Sequence, residues 1–252
     1  MEIKKLLYVT HLTEPAFDLF EGLLEIKKIG LQEIILMSNR LSQELKERAS
    51  EQGINLKEVT GSGPLIQRIF EVANREHASL IVAHLNREKQ KSFRGSTATN
   101  LIKNTALPLL IIHENGGGGS SRTKGLFNSV ILATDWSDAA RRAWLYIIGI
   151  KEIVGVLDLV YVLHERPTVR EIRQLKERVE EIRKICLEEK MDTESHIYAG
   201  KTPEEIILAS KDYNATMIVM GYKSKSAFKA IFSGSSCYEV TEKSSVPVLI
   251  IP

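Results

Sequence analysis

Two glycines, Gly221 and Gly234, stand 13 positions apart and enclose Lys223, Ser224, Lys225 and Lys229, with Ser235 and Ser236 following the second glycine. The apolar run Met217–Met220 leads into Gly221, and a helix-like stretch, Cys237–Lys243, follows the serines. A Gly-Ser-Ser that opens a helix offers unpaired backbone N–H groups, hydroxyl donors and the positive end of the helix dipole, a combination suited to phosphate. The same residues also make an ordinary helix cap, and the lysines an ordinary solvated loop face. A further polar residue, Asp135, closes the apolar run Val130–Thr134. Other chemistry is missing from the sequence. There is no Walker-type phosphate loop, Gly-x-Gly-x-x-Gly, Gly-x-Ser-x-Gly or His-Glu-x-x-His. The histidines (His11, His77, His84, His113, His164 and His196) are scattered without metal-ligand spacing. No nucleophile is paired with an oriented base, so the expectation is a protein that is not an enzyme.

The elements that must position these residues are written twice. Leu6–His11 resembles Val130–Asp135, and Val59–Pro64 resembles Tyr198–Pro203. Ser79–His84 resembles Thr216–Gly221, Gly95-Ser96 repeats as Gly234-Ser235, and Pro108–Ile112 repeats as Pro247–Ile251. The same order at slowly drifting offsets means two copies of one unit. The offset grows between the second and third strands, which places about 14 extra residues in the second copy's intervening helix. Gly116–Ser121 between the copies reads as a flexible linker. The expected organisation is a first domain at 1–114, a linker at 115–126 and a second domain at 127–252.

Each copy alternates short β-branched runs with amphipathic helices. In the second copy the strands are expected near 129–134, 157–163, 194–198, 215–220 and 247–251. Most are apolar throughout, as parallel strands covered on both faces must be. Thr202-Pro203-Glu204-Glu205 places Thr202 at an N-cap, Thr168 and Glu171 form a Thr-x-x-Glu pair, and Ser137 can cap the helix after the first strand. This alternation predicts an α/β fold: two tandem doubly wound, Rossmann-like sheets of five parallel strands each. Open sheets of this kind bind ligands beyond the carboxyl ends of their strands, where the strand order reverses.

Composition narrows the class of partner. Lysine and arginine number 34 against 32 acidic residues, and the balance holds in both copies. No basic face for nucleic acid is indicated. No apolar run approaches the roughly 20 residues of a membrane span, and no signal-peptide pattern opens the chain. Two cysteines, Cys186 and Cys237, suit a reducing compartment, so a cytoplasmic location is expected.

Strand–Thr134-Asp135-x-Ser137, Gly200-x-x-Pro203-x-Glu205, the Gly221-to-Gly234-Ser235 spacing and the closing Val246-Pro247-Val248-Leu249-Ile250 together resemble the universal stress protein family. They span nearly all of the second copy, and the first copy resembles a degenerate member. The resemblance implies an adenine nucleotide alpha hydrolase-like fold, with strand order 3-2-1-4-5 and the reversal between strands 1 and 4. In ATP-binding members the loop motif is Gly-x-x-Gly, nine residues, then Gly-Ser/Thr. Here Ser224 takes the second glycine position. By similarity, Thr134 and Asp135 meet the base–ribose end, and the backbone near Val162 meets the adenine. Gly221, Gly234, Ser235 and Ser236 meet the ribose and phosphates, and Met220 and Ser224 belong to the same site. Ser224 either obstructs the phosphates or donates its hydroxyl to one of them. In the first copy His11 replaces the aspartate and His84 the first glycine.

The resemblance implies a non-catalytic, stress-response regulatory protein with an ATP or AMP site, the ATP with Mg²⁺, in the second domain. Two alternatives stand: an interaction module of the same fold that has lost nucleotide binding, and a slow ATP hydrolase. Family dimers pair through their fifth strands, and both copies carry one. The expectation is therefore an internal pseudo-dimer, open to further homodimerisation.

Overall fold

A computed structural model of the chain describes residues 2–10, 17–38, 43–60, 63–86, 96–114, 125–163, 168–222 and 234–252. It divides into two units, Met1–Leu126 and Phe127–Ile251. Leu126, which composition assigns to the linker, is fully buried.

In the first unit the order is β1 (Lys5–Thr10), α1 (Phe17–Leu24), a 3-10 turn, β2 (Glu33–Met37), α2 (Gln43–Glu51), β3 (Asn55–Glu58), α3 (Leu65–Arg75), β4 (Leu80–Asn86), α4 (Thr97–Asn104) and β5 (Leu109–Glu114). The strands lie in the order β3-β2-β1-β4-β5, all parallel. Thr10 at the end of β1 pairs with His84 on β4.

The second unit repeats this plan with β6 (Ser129–Thr134), α5 (Asp138–Gly149), a 3-10 turn, β7 (Val156–Leu163), α6 (Val169–Glu188), β8 (Asp192–Ala199), α7 (Thr202–Asp212), β9 (Met217–Gly221), α8 (Gly234–Lys243) and β10 (Val248–Ile251). Its parallel order is β8-β7-β6-β9-β10, the expected 3-2-1-4-5 arrangement. Val130, Ile131, Leu132 and Ala133 of the central β6 are fully buried, which requires helices on both faces.

Local chemistry sets the helix starts. Ser137 accepts a hydrogen bond from the Ala140 N–H and caps α5. Thr168 and Glu171 form a complete capping box at α6, with the Thr168 N–H donating to Glu171 Oε2 at 2.7 Å. Residues 169–188 make α6 a 20-residue helix where the first copy's α2 has 9, which is where the extra length was expected. Its buried stripe is Leu175, Val179 and Cys186. The expected cap of α7 is displaced by one residue: Lys201 is the N-cap, with no side-chain cap bond of its own, and Thr202 already lies in the helix. Gly200 explains the motif differently. It has a φ of +154°, and a Cβ there would lie 2.4 Å from Glu205 Oε1, so the glycine makes room for the Glu205 side chain folding back over the helix start.

Candidate functional site at the strand ends of the second unit

The reversal in strand order falls between β6 and β9. Their register ends at Ala133 and Met220, after which the chain leaves β6 for α5 and β9 for the loop before α8. In open sheets a reversal of this kind is where a ligand crevice forms, because successive crossovers leave in opposite directions.

Thr134, buried at the end of β6, accepts a hydrogen bond from the Trp136 N–H at 3.2 Å. Asp135 Oδ1 accepts from the Ser137 N–H at 3.0 Å. Two side-chain turns in succession therefore fix the β6–α5 connection and the Asp135 carboxylate with it. Trp136 between them adopts φ +61°, a left-handed conformation uncommon for a bulky side chain and found where surrounding structure over-determines the backbone. Its ring stacks on Tyr161 of β7, centroids 5.6 Å apart and planes at 27°.

The field of Asp135 shows what surrounds it. Burial, and then the Asp135 charge, push the Cys237 thiol up to about 12 and raise the Tyr161 phenol. The carboxylate is thus close enough to act on the end of β7 and the first turn of α8 together. Cys237, fully buried, donates weakly to the Gly221 carbonyl at 3.5 Å, tying α8 to the end of β9. It is an inert core residue there, because a thiol held that high is not nucleophilic at neutral pH.

β7 runs past β6. The last register pair is Thr134 with Tyr161, so Val162 and Leu163 extend beyond the end of β6, paired to β8 on their other side. Val162 itself is buried. Met220 is fully buried between Ala133 and Ile250, a core residue. Gly234 opens α8, Ser235 follows it, and Ser236 is buried in the first turn. Ser224, with Lys223, Lys225 and Lys229, lies outside the described residues.

Gly221 has a cause the sequence does not reveal. A Cβ there would sit 2.2 Å from both the carbonyl carbon and oxygen of Ala139 and 2.5 Å from the Ala140 nitrogen. The first turn of α5 presses directly on the end of β9, and no side chain fits beneath it. In the first unit His84 holds the equivalent place. It is buried, and its Nδ1 lies 3.4 Å from the Tyr8 hydroxyl, itself buried under α1. Burial holds this imidazole down at about 4, so it is neutral at physiological pH. His11 lies outside the described residues. Ser96 is occupied in capping α4, accepting from the Thr99 N–H at 3.0 Å.

Trp136, Tyr161 and Ala139 were not singled out from sequence. The tryptophan carried a readable signal, an aromatic between a strand-ending aspartate and a capping serine; the other two acquire meaning only from packing.

The universal stress protein family model matches residues 127–252, half of the chain. The chain belongs to the universal stress protein family. Similar solved structures include a universal stress protein from Archaeoglobus fulgidus DSM 4304, with a TM-score of 0.70 and 23% identity, the match covering 99% of this chain and 96% of that one. A functionally unknown protein from Pseudomonas aeruginosa PAO1 aligns with a TM-score of 0.68 and 14% identity over 99% and 92% of the two chains. Both likenesses span the two universal stress protein-like units and concern the fold. No curated protein matches the sequence. No helix among the described residues is long and apolar enough to cross a membrane.

Proposed function

We propose that the second unit binds an adenine nucleotide, ATP with Mg²⁺ or AMP, in the crevice between β6 and β9, and that the chain acts as a non-catalytic cytoplasmic regulator whose state reports that nucleotide. The observation that carries this reading is the Asp135 carboxylate fixed at the carboxyl end of β6, whose charge acts on Tyr161 of β7 and Cys237 of α8. The residues fit the group chemically. The two-residue overhang of β7 offers backbone groups with no β6 partner, suited to the edge of a purine. Asp135 can accept from ribose hydroxyls, and the unpaired N–H groups at the start of α8 suit phosphate. Trp136 and Tyr161 supply an aromatic surface beside the base position.

The experiment is calorimetric titration of the protein with ATP in the presence of Mg²⁺, and with AMP. Saturable binding that Asp135→Asn weakens supports the reading, and no heat and no thermal shift at 1 mM nucleotide, a concentration at which about −4 kcal/mol of binding would register, ends it. One observation favours a second reading, an interaction module that has lost nucleotide. Gly221 is required by the contact with α5 alone, so that part of the motif persists whether or not a ligand is bound.

A further inference from the structure

Away from the crevice, β7 and β8 place three potential metal ligands side by side. Asp158 on β7 lies in register with Glu194 on β8, and Val160 with His196. Residues two apart on a strand share a face, so Asp158, Glu194 and His196 project from the same side of the sheet. The His196 Nε2 lies 2.8 Å from Asp158 Oδ1, and one ligand atom from each of the three residues falls within 4.8 Å of the other two.

Two observations separate this group from a chance surface cluster. Asp158 is a carboxylate with a side chain only 5% exposed, standing opposite a second carboxylate, an arrangement that destabilises a sheet unless positive charge balances it. Among the described residues, the charges acting on Asp158 are His196, Glu194 and Asp192, with no lysine or arginine. The patch is thus short of positive charge. The second observation is orientation. The His196 ring stacks on Tyr213, just beyond α7, at 3.9 Å and 21°, which restricts its rotation and keeps Nε2 toward Asp158. A histidine ring held by a second group is how proteins prepare an imidazole ligand.

We propose that Asp158, Glu194 and His196 form a binding site for a divalent transition-metal ion of the zinc type. The ligands are His196 Nε2 and one oxygen from each carboxylate, with the fourth position left to water. Tetrahedral ligands at zinc distances stand about 3.3 Å apart. Asp158 and His196 therefore separate by about half an ångström from their hydrogen bond, and the exposed Glu194 side chain swings inward. The ion takes the place of the hydrogen between Asp158 and His196, and the neutral imidazole then carries its one proton on Nδ1. An open fourth position makes the site competent to bind a further small ligand on the metal.

The test is calorimetric titration of chelator-stripped, nucleotide-free protein with Zn²⁺ alone. The expected result is saturable binding that Glu194→Gln weakens at least tenfold and His196→Gln abolishes, with circular dichroism confirming that both variants fold. Glu194 is exposed, so its variant decides the matter even where His196→Gln fails to fold. Absence of saturable binding by the unaltered protein overturns the proposal. So does an affinity unchanged by Glu194→Gln, which would move the ion to the scattered histidines.

Discussion

The backbone of Ala139 lies so close to Gly221 that a single methyl group on the glycine would meet a carbonyl 2.2 Å away. The helix that follows the first strand of the second unit is seated on the end of the fourth. Gly221→Ala therefore has a cost in the absence of any nucleotide. Overpacking against backbone of about 1–3 kcal/mol is expected, seen as a lower urea midpoint for the second unit. A variant with an unchanged midpoint and altered only in nucleotide affinity would assign the glycine to the ligand instead.

Asp135 combines a turn-fixing bond with the ribose contact proposed above. Its Oδ1 accepts from the Ser137 N–H, and an asparagine amide oxygen preserves that bond. Asp135→Asn is expected to keep stability within about 0.5 kcal/mol while losing a charge-assisted contact to ribose. Such a contact is worth about 1.5–3 kcal/mol, or roughly 10–100-fold in nucleotide affinity. Ser137→Ala acts oppositely: it removes the α5 cap at about 1 kcal/mol. Parallel titration and denaturation of the two variants separate holding the loop from holding the ligand.

Trp136 combines an unfavourable backbone with a favourable stack. Replacing it by alanine or by glycine removes the same ring from Tyr161, but only glycine relieves φ +61°. Trp136→Gly is therefore expected to be more stable than Trp136→Ala by about 1 kcal/mol, the reverse of their order in an ordinary helix or strand. Equal stabilities would mean that the turn relaxes without the ring and stores no strain.

Strand positions and several helix starts were legible in the sequence because they depend on local signals, whereas the strand order came only with the family resemblance. Four apolar residues in β6, the Thr168–Glu171 pair and Ser137 each state their role within a few positions. The limits of such reading appear at Thr202, where the pattern gave a cap and the chain begins its helix one residue earlier. They appear again at Gly221. A glycine ending a strand is compatible with ligand approach, loop geometry or helix packing, and only the distance to Ala139 chooses. Asp158 and His196 are 38 positions apart, and nothing local joins them until β7 and β8 come into register.

The first unit carries a pH dependence through His84. Its folded pKa is held down at about 4 by burial, against an ordinary value of 6.5 in the unfolded chain. Above pH 6.5 both states are neutral and the residue contributes no dependence. As pH falls from 6.5 towards 4, the unfolded chain takes up a proton that the folded one refuses, so stability is lost across that window. The full effect is about 3 kcal/mol. Comparing the wild type with His84→Gln at pH 7 and pH 4.5 isolates it, since glutamine can still bond Tyr8 but does not titrate. The gap between the two should narrow or reverse at the lower pH, and a gap independent of pH would mean that His84 is protonated in the folded protein.

Gly200 and Glu205 offer a test of the second-copy motif as a device for starting α7. Two penalties meet an alanine at position 200: a φ of +154°, which side-chain-bearing residues rarely adopt, and collision with the Glu205 carboxylate. Gly200→Ala should cost about 1–3 kcal/mol from strain and overpacking together. Shortening the neighbour with Glu205→Ala removes the collision and leaves the backbone strain. The double variant should then lie closer to the single Glu205→Ala than additivity allows, with a coupling of about 0.5–1 kcal/mol in favour of the pair. A strictly additive cycle would show that the carboxylate moves aside freely, and that the glycine is there for its backbone alone.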